Sequence, residues 1–351
     1  MLPSLLDWAE ATRWGIRYAH TRAVPALDIE QIDLLHLLVR ERAHEVDPVV
    51  REVAQLGADL PAPVVDVTSR KRIVEASLDS MRAIADPHTF TLASASRFPN
   101  LVRRRLWAHN LGATTGLYAA KTIGQHELFI PPAHTSGRTW VVGPNLTALV
   151  KRLGQRSHDI LNGVLSTQLT SRTLFEGLEW VRPYALSLLD TYIREIDGYD
   201  KAFMKAIERF STFLNDANAP VGIEPYDWGN VVFTPRQVRA IYAGQALMAA
   251  IDGYCTYITS LVCNAMDLDG AFVEQVLASQ VAGHHVILRL TQVLPGMGIS
   301  RIDATAGYAF MRVIAQHGGV DLVNKMWEAP TTLPTIDELT NPERWMERIG
   351  A

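Results

Sequence analysis

The residues of this chain most able to do chemistry are its histidines, and their spacing argues against a shared metal. Two histidines four residues apart lie one above the other on a helix face and can hold one zinc. A glutamate directly after the first then reaches a metal-bound water as general base. His126-Glu127 opens such a pattern, but Ile130 stands where the second histidine belongs. That segment also reads as a strand. His284-His285 is the only adjacent pair, and neighbouring helical residues point about 100° apart, so they cannot chelate one ion. Glu274 is too far along that helix to join them. His109, His126 and His134 could gather around a hairpin or simply be solvated.

Other chemistries find less support. The two cysteines, Cys255 and Cys263, stand eight residues apart in one expected helix. At ~1.5 Å rise per residue that is roughly 12 Å, too far for a disulfide. Two unpaired thiols fit a reducing cytoplasm. No Gly-x-Ser-x-Gly occurs, and neither cysteine neighbours a histidine in sequence. Gly296-Met297-Gly298 lacks the preceding strand that a dinucleotide loop needs. Arg103-Arg104-Arg105 could touch phosphate, but the net charge is −4, and a short basic run is usually a solvated helix face. Nucleic acid is therefore not an expected partner.

The elements that must position these residues are mostly helical. Apolar residues recur at three- and four-residue spacing over 28–57, with Asp28 as N-cap and Pro48 expected to divide or kink the stretch. A Pro-containing break at Leu60–Val64 precedes a helix over 69–85, and another spans 100–123. His126–Ile130 and Thr139–Val142 are apolar and β-rich, and a Gly/Ser/Pro loop joins them. They predict a β-hairpin, the one strand region expected. Helices follow at 145–154, 157–176, 183–197 and 201–214, and then a Pro/Gly-rich loop over 215–229. Thr234-Pro235 starts a helix that reaches Asn264. Further helices cover 270–294, 301–317 closed by Gly318-Gly319, and 342–349.

The chain has 351 residues, 48% hydrophobic and 20% charged, enough for a substantial core. Ala246–Cys263 imitates a membrane span, with Asp252 its only charge. Its length is marginal, and a buried core helix is the better reading. Met1–His20 carries Asp7 and Glu10 and does not read as a signal peptide. No membrane partner is expected, and a cytoplasmic location is.

Several segments in order resemble a known family. They are Leu111-Gly112-Ala113, Gly124-Gln125-His126-Glu127-Leu128-Phe129, Val141-Val142-Gly143-Pro144-Asn145 and Trp180-Val181-Arg182-Pro183. The strongest are C-terminal: Val320–Pro330, Leu333-Pro334-Thr335-Ile336 and Pro342-Glu343-Arg344-Trp345. Together they resemble the zincin-like hydrolase and metallopeptidase family of actinobacterial type, which gene context links to deazaflavin coenzyme biosynthesis. The resemblance covers most of the chain after residue 100. It implies a His-Glu-x-x-His helix shortly before the Trp-x-Arg-Pro turn and an acidic third zinc ligand from a later helix.

Counting back from Trp180, that motif falls on Thr167-Gln168-Leu169-Thr170-Ser171. Thr167 and Ser171 take the histidine positions and Gln168 the glutamate position. Residues 159–175 contain no histidine, so a small shift of register does not restore one. The third-ligand helix resembles Ala250-Ile251-Asp252-Gly253-Tyr254, where the acidic position is Asp252. The resemblance implies zinc, but these residues cannot ligate it, so no cofactor is expected.

The expected fold is therefore mainly α, a multi-helix zincin-like arrangement with one short hairpin at about 126–143. Residues 1–98 form an N-terminal helical region, and 99–351 the zincin-like domain packed with it. The hairpin edge should lie beside the motif helix. A polar cleft lined by Thr167, Gln168, Ser171, Asp252 and Tyr254 is the candidate site. Asp252 reads either as part of that cleft or as a core carboxylate bonded to Thr and Ser neighbours. Three functions compete: a degenerate relative without zinc-dependent peptidase activity that binds a peptide or small molecule, a hydrolase with a rearranged site, and a structural or assembly protein. A homo-oligomer is compatible with each.

Overall fold

Local signals set the helix ends. Asp28 opens α2 (Ile29–Ala54) by accepting the Gln31 amide at 2.8 Å, and Gln31 returns a side-chain bond to the Asp28 amide. The computed structural model describes residues 7–21, 27–85, 100–126, 138–194, 234–281 and 305–351. The expected helix over 201–214, the loop over 215–229, residues 127–130, His134, His284-His285 and Gly296-Met297-Gly298 lie outside these.

Pro48 does not divide α2. Proline removes one backbone bond, but Pro48 is exposed while Val39, Ala43, Val46, Val50 and Ala54 bury the opposite stripe on both sides of it. That continuous apolar face holds the helix together across the missing bond.

The expected hairpin is part of a three-stranded sheet of β1 (Val64–Thr68), β2 (Gly124–His126) and β3 (Arg138–Val142). β3 is central, parallel to β1 and antiparallel to β2, with His126 opposite Thr139. β1 is the strand the sequence reading leaves out. Pro61 and Pro63 mark a break there, and Val64-Val65-Asp66-Val67-Thr68 is too short to stand out from it. Its pairing to β3 is long-range, a tertiary choice that local pattern does not carry.

Two apolar clusters hold the rest. The smaller joins α1 (Trp8–Ala19), α3 (Arg70–Ala85) and α4 (Asn100–Ala119) through Ala11, Ile73, Val74, Ala108 and Leu111. α1 and α4 meet backbone to backbone, because a Cβ on Gly112 or Gly116 would collide with the carbonyl oxygens of Ala11 and Gly15. The larger cluster runs from Val39 of α2 and Val65 of β1 to Trp345 and Met346. It takes in α5 (Gly143–Leu153), α6 (Ser157–Gly177), α7 (Val181–Arg194), α8 (Pro235–Ala265), α9 (Gly270–Val281), α10 (Ala306–Asn324), α11 (Ile336–Leu339) and α12 (Pro342–Ile349).

Thr234 caps α8 in a reciprocal box with Gln237. α8 is long and apolar enough to cross a membrane, yet 72% of its most apolar window is buried inside the fold. It packs as a core helix. α10 crosses α8 so closely that a Cβ on Gly307 would overlap the Ala249 carbonyl. Gly318 and Gly319 interrupt α10, the latter with φ at +64°, where the sequence expects the helix to close.

Candidate functional site

α6 is the helix on which the motif positions fall. Its buried face mixes leucines with Asn162, Ser166, Thr170, Arg172 and Thr173. Small hydroxyl residues fit there because each returns its proton to the carbonyl one turn back, as Ser166 does to Asn162 at 2.7 Å and Thr170 to Ser166 at 2.8 Å. α6 runs antiparallel to α8. Thr167 Oγ1 faces Thr259 Oγ1 at 3.1 Å, and at the far end Asp159 is near enough to help raise the Cys263 thiol, after burial, to about 11.

Each candidate residue has a defined place. Thr167 is half-buried and also bonds the Gly163 carbonyl at 3.0 Å. Gln168 turns toward the sheet, and its Oε1 accepts the His126 amide at 2.7 Å. Ser171 is half-buried on the same face as Thr167. Asp252 is half-buried on α8, two turns from Thr259 or roughly 10 Å along the axis. Its charge helps raise the Cys255 thiol, behind the larger effect of burial. Tyr254 points the other way into the core. Its hydroxyl donates to Asn324 Oδ1 at 2.8 Å and lies 3.2 Å from the Ala54 carbonyl, and burial pushes its pKa well up.

The sequence reading misses a buried ionic chain on the Gln168 face of α6. Arg172, 2% exposed, reaches Asp47 Oδ1 at 3.4 Å, Glu176 Oε2 at 2.9 Å and the Pro61 carbonyl at 2.7 Å. Arg51 pairs with the other Asp47 oxygen and bonds the Leu60 and Pro61 carbonyls. Glu176 Oε1 in turn faces His126 Nε2 at 3.4 Å, while His126 Nδ1 meets Thr139 Oγ1 at 2.9 Å. Burial first, then the charges of Arg172 and Arg182, lower the His126 pKa to about 3. The ring is neutral at ordinary pH, so its contact with Glu176 is not an ion pair. The legible signals are two pairs four residues apart, Arg172 with Glu176 on α6 and Asp47 with Arg51 on α2. The links that join α6 to α2 and β2 are not.

His109 has separate partners. Its ring packs 4.5 Å from Trp14 and its Nε2 lies 3.3 Å from the Tyr18 hydroxyl. Among the described residues, no three His, Cys, Asp or Glu side chains are grouped to hold a metal.

A model of zincin-like metallopeptidases matches residues 6–346. The chain belongs to that family. A solved structure from Chloroflexus aurantiacus, described as a candidate hydrolase with a novel fold, is similar at 20% identity with a TM-score of 0.70. The match covers 98% of this chain and 99% of that one. At that identity the likeness carries the fold alone. No curated protein matches the chain.

The family implies zinc, and Thr167, Gln168 and Ser171, the residues that the count back from Trp180 gives, do not fit it. Neutral hydroxyl and amide oxygens are weak zinc ligands beside imidazole or carboxylate. Those of Thr167 and Gln168 are also spent on Gly163, Thr259 and the His126 amide.

Proposed function

We propose that this chain is a degenerate zincin-like protein without zinc-dependent peptidase activity. On this reading the polar α6–α8 seam with Thr167, Ser171 and Asp252 is kept as a binding site for a small ligand or peptide. The observation that carries the reading is Gln168: the residue at the general-base position accepts a hydrogen bond from the sheet and cannot take a proton from water. Metal content of protein purified without chelator tests it. Less than about one-tenth zinc per chain is expected, and one tightly held zinc per chain would overturn it.

A second reading keeps hydrolysis, with a rearranged site centred on Asp252. Membership of a metallopeptidase family supports it, as does a half-buried carboxylate on an otherwise apolar stretch of α8. If Asp252→Ala leaves hydrolysis of a general ester and peptide panel unchanged, that reading fails. A cytoplasmic location accompanies both, supported by the two buried free thiols.

A further inference from the structure

α2 buries one stripe and leaves the opposite one bare. Val39, Ala43, Val46, Val50 and Ala54 face the core. On the other side Leu34, Leu37 and Leu38 keep 61%, 57% and 42% of their surface in solvent. A single exposed leucine is ordinary, but three on one helix face make a contiguous apolar patch. The sheet does not take it, because α2 meets β1 along another line. There the Val67 amide donates to His36 Nδ1 at 3.3 Å, and Arg40 Nε reaches the Val65 carbonyl at 3.4 Å.

The charges around the patch select its occupant. Asp33 precedes the leucines and Arg40 follows them on the same flank, both exposed. Written as a heptad, Leu34 and Leu37 take the two seam positions, and Asp33 and Arg40 take one flanking position in successive repeats. Two such helices laid antiparallel set each Leu34 against the partner's Leu37. In that same register each Asp33 faces the partner's Arg40. The pattern is therefore complementary to itself about a two-fold axis, as an isologous interface requires. Arg40 is free to serve it, since Asp66, its neighbour at 3.3 Å, is also held by Arg138 at 2.9 Å.

We infer that this stripe of α2 is a homodimer interface, on which a second copy of the chain packs antiparallel through Leu34 and Leu37. The seam runs from Glu30 to Glu41, roughly 17 Å of helix. Its two leucine layers make a small interface, so the association is a weak one, in the micromolar range. Glu30 and the partner's Glu41 close the seam at each end, where like charges in solvent limit the affinity.

Sedimentation equilibrium of the full chain between about 1 and 300 µM tests the interface. A monomer–dimer equilibrium is expected, with a dissociation constant on the order of tens of micromolar. Leu37→Glu sets a carboxylate in each leucine layer and should weaken the dimer at least about tenfold. The melting temperature of dilute protein should not move, because Leu37 is exposed, and Leu37→Ser serves if the carboxylate disturbs the fold. Asp33→Arg and Arg40→Asp should each weaken self-association about fivefold. An equimolar mixture of those two variants should recover the affinity of the unaltered chain, since an antiparallel pair then has opposite charges on both flanks. A chain that stays monomeric across the range overturns the proposal, whether the stripe is bare or is covered by another segment or another protein. A dimer indifferent to Leu37→Glu, or a mixture no tighter than its components, overturns it as well.

Discussion

Arg172 and Asp47 meet at 3.4 Å across 125 residues of sequence, both almost wholly buried. The contact ties α6 to α2 beneath the loop that leads into β1. A buried pair stabilises weakly compared with apolar residues of the same size, but losing one member leaves the other charge stranded.

Arg172→Met should therefore cost about 3 kcal/mol, chiefly because Glu176 loses its cation, while Asp47 keeps only Arg51. Arg172→Met with Asp47→Asn should cost less than the two single changes added together. Urea unfolding of the four proteins reads both quantities, and strict additivity would show that the pair is not coupled.

His126 makes stability depend on pH. Its pKa in the fold is about 3, below its ordinary 6.5. The fold thus favours the neutral ring, and the stability is present above pH 6.5 and lost as pH falls from there toward 3. Between pH 7 and pH 5 this amounts to about 2 kcal/mol. His126→Gln should lose that much less over the same interval in urea midpoints. Equal slopes for the two proteins would mean the ring is not held neutral by burial.

The crossing of α8 and α10 tolerates no side chain at Gly307. Gly307→Ala should destabilise by about 3 kcal/mol, since backbone rather than a flexible side chain lies in the way. Gly319→Ala, which meets nothing but sits at φ +64°, ψ −157°, backbone almost confined to glycine, should cost on the order of 1–3 kcal/mol. Thermal melts of both variants rank the two effects.

Histidine placed at positions 167 and 171 should create a two-histidine helix site. Thr167→His with Ser171→His is expected to bind zinc at least about tenfold more tightly than the unaltered chain in calorimetric titration. No gain would show that the seam lacks room for the ion as well as its ligands.

The parts of this molecule that were legible in its sequence are those that local chemistry decides. Asp28, Thr234 and Pro235 mark helix starts because caps act within one turn. The apolar run around Asp252 is a buried helix, as its composition suggests. The motif positions rest on the resemblance alone, through the count back from Trp180. β1 was not legible, since its pairing with β3 is decided by a strand more than seventy residues away. Nor was the whole chain from Arg51 to His126, whose i,i+4 pairs on α2 and α6 are joined to each other and to β2 only by contacts far apart in sequence. Tyr254 neighbours Asp252 in sequence, yet the helical turn sends it to Asn324 and Ala54 instead.

The tie from Tyr254 to Ala54 and Asn324 also bears on how the protein is made. Its three members are some 200 and 70 residues apart. The larger apolar cluster likewise needs Val39 together with Trp345. A ribosome working from the N-terminus therefore exposes the leucine- and valine-rich faces of α2 and α6 long before α8, which packs against both, has been synthesised. Until then the nascent chain carries unburied apolar surface, the condition under which holding chaperones bind and stalled chains aggregate.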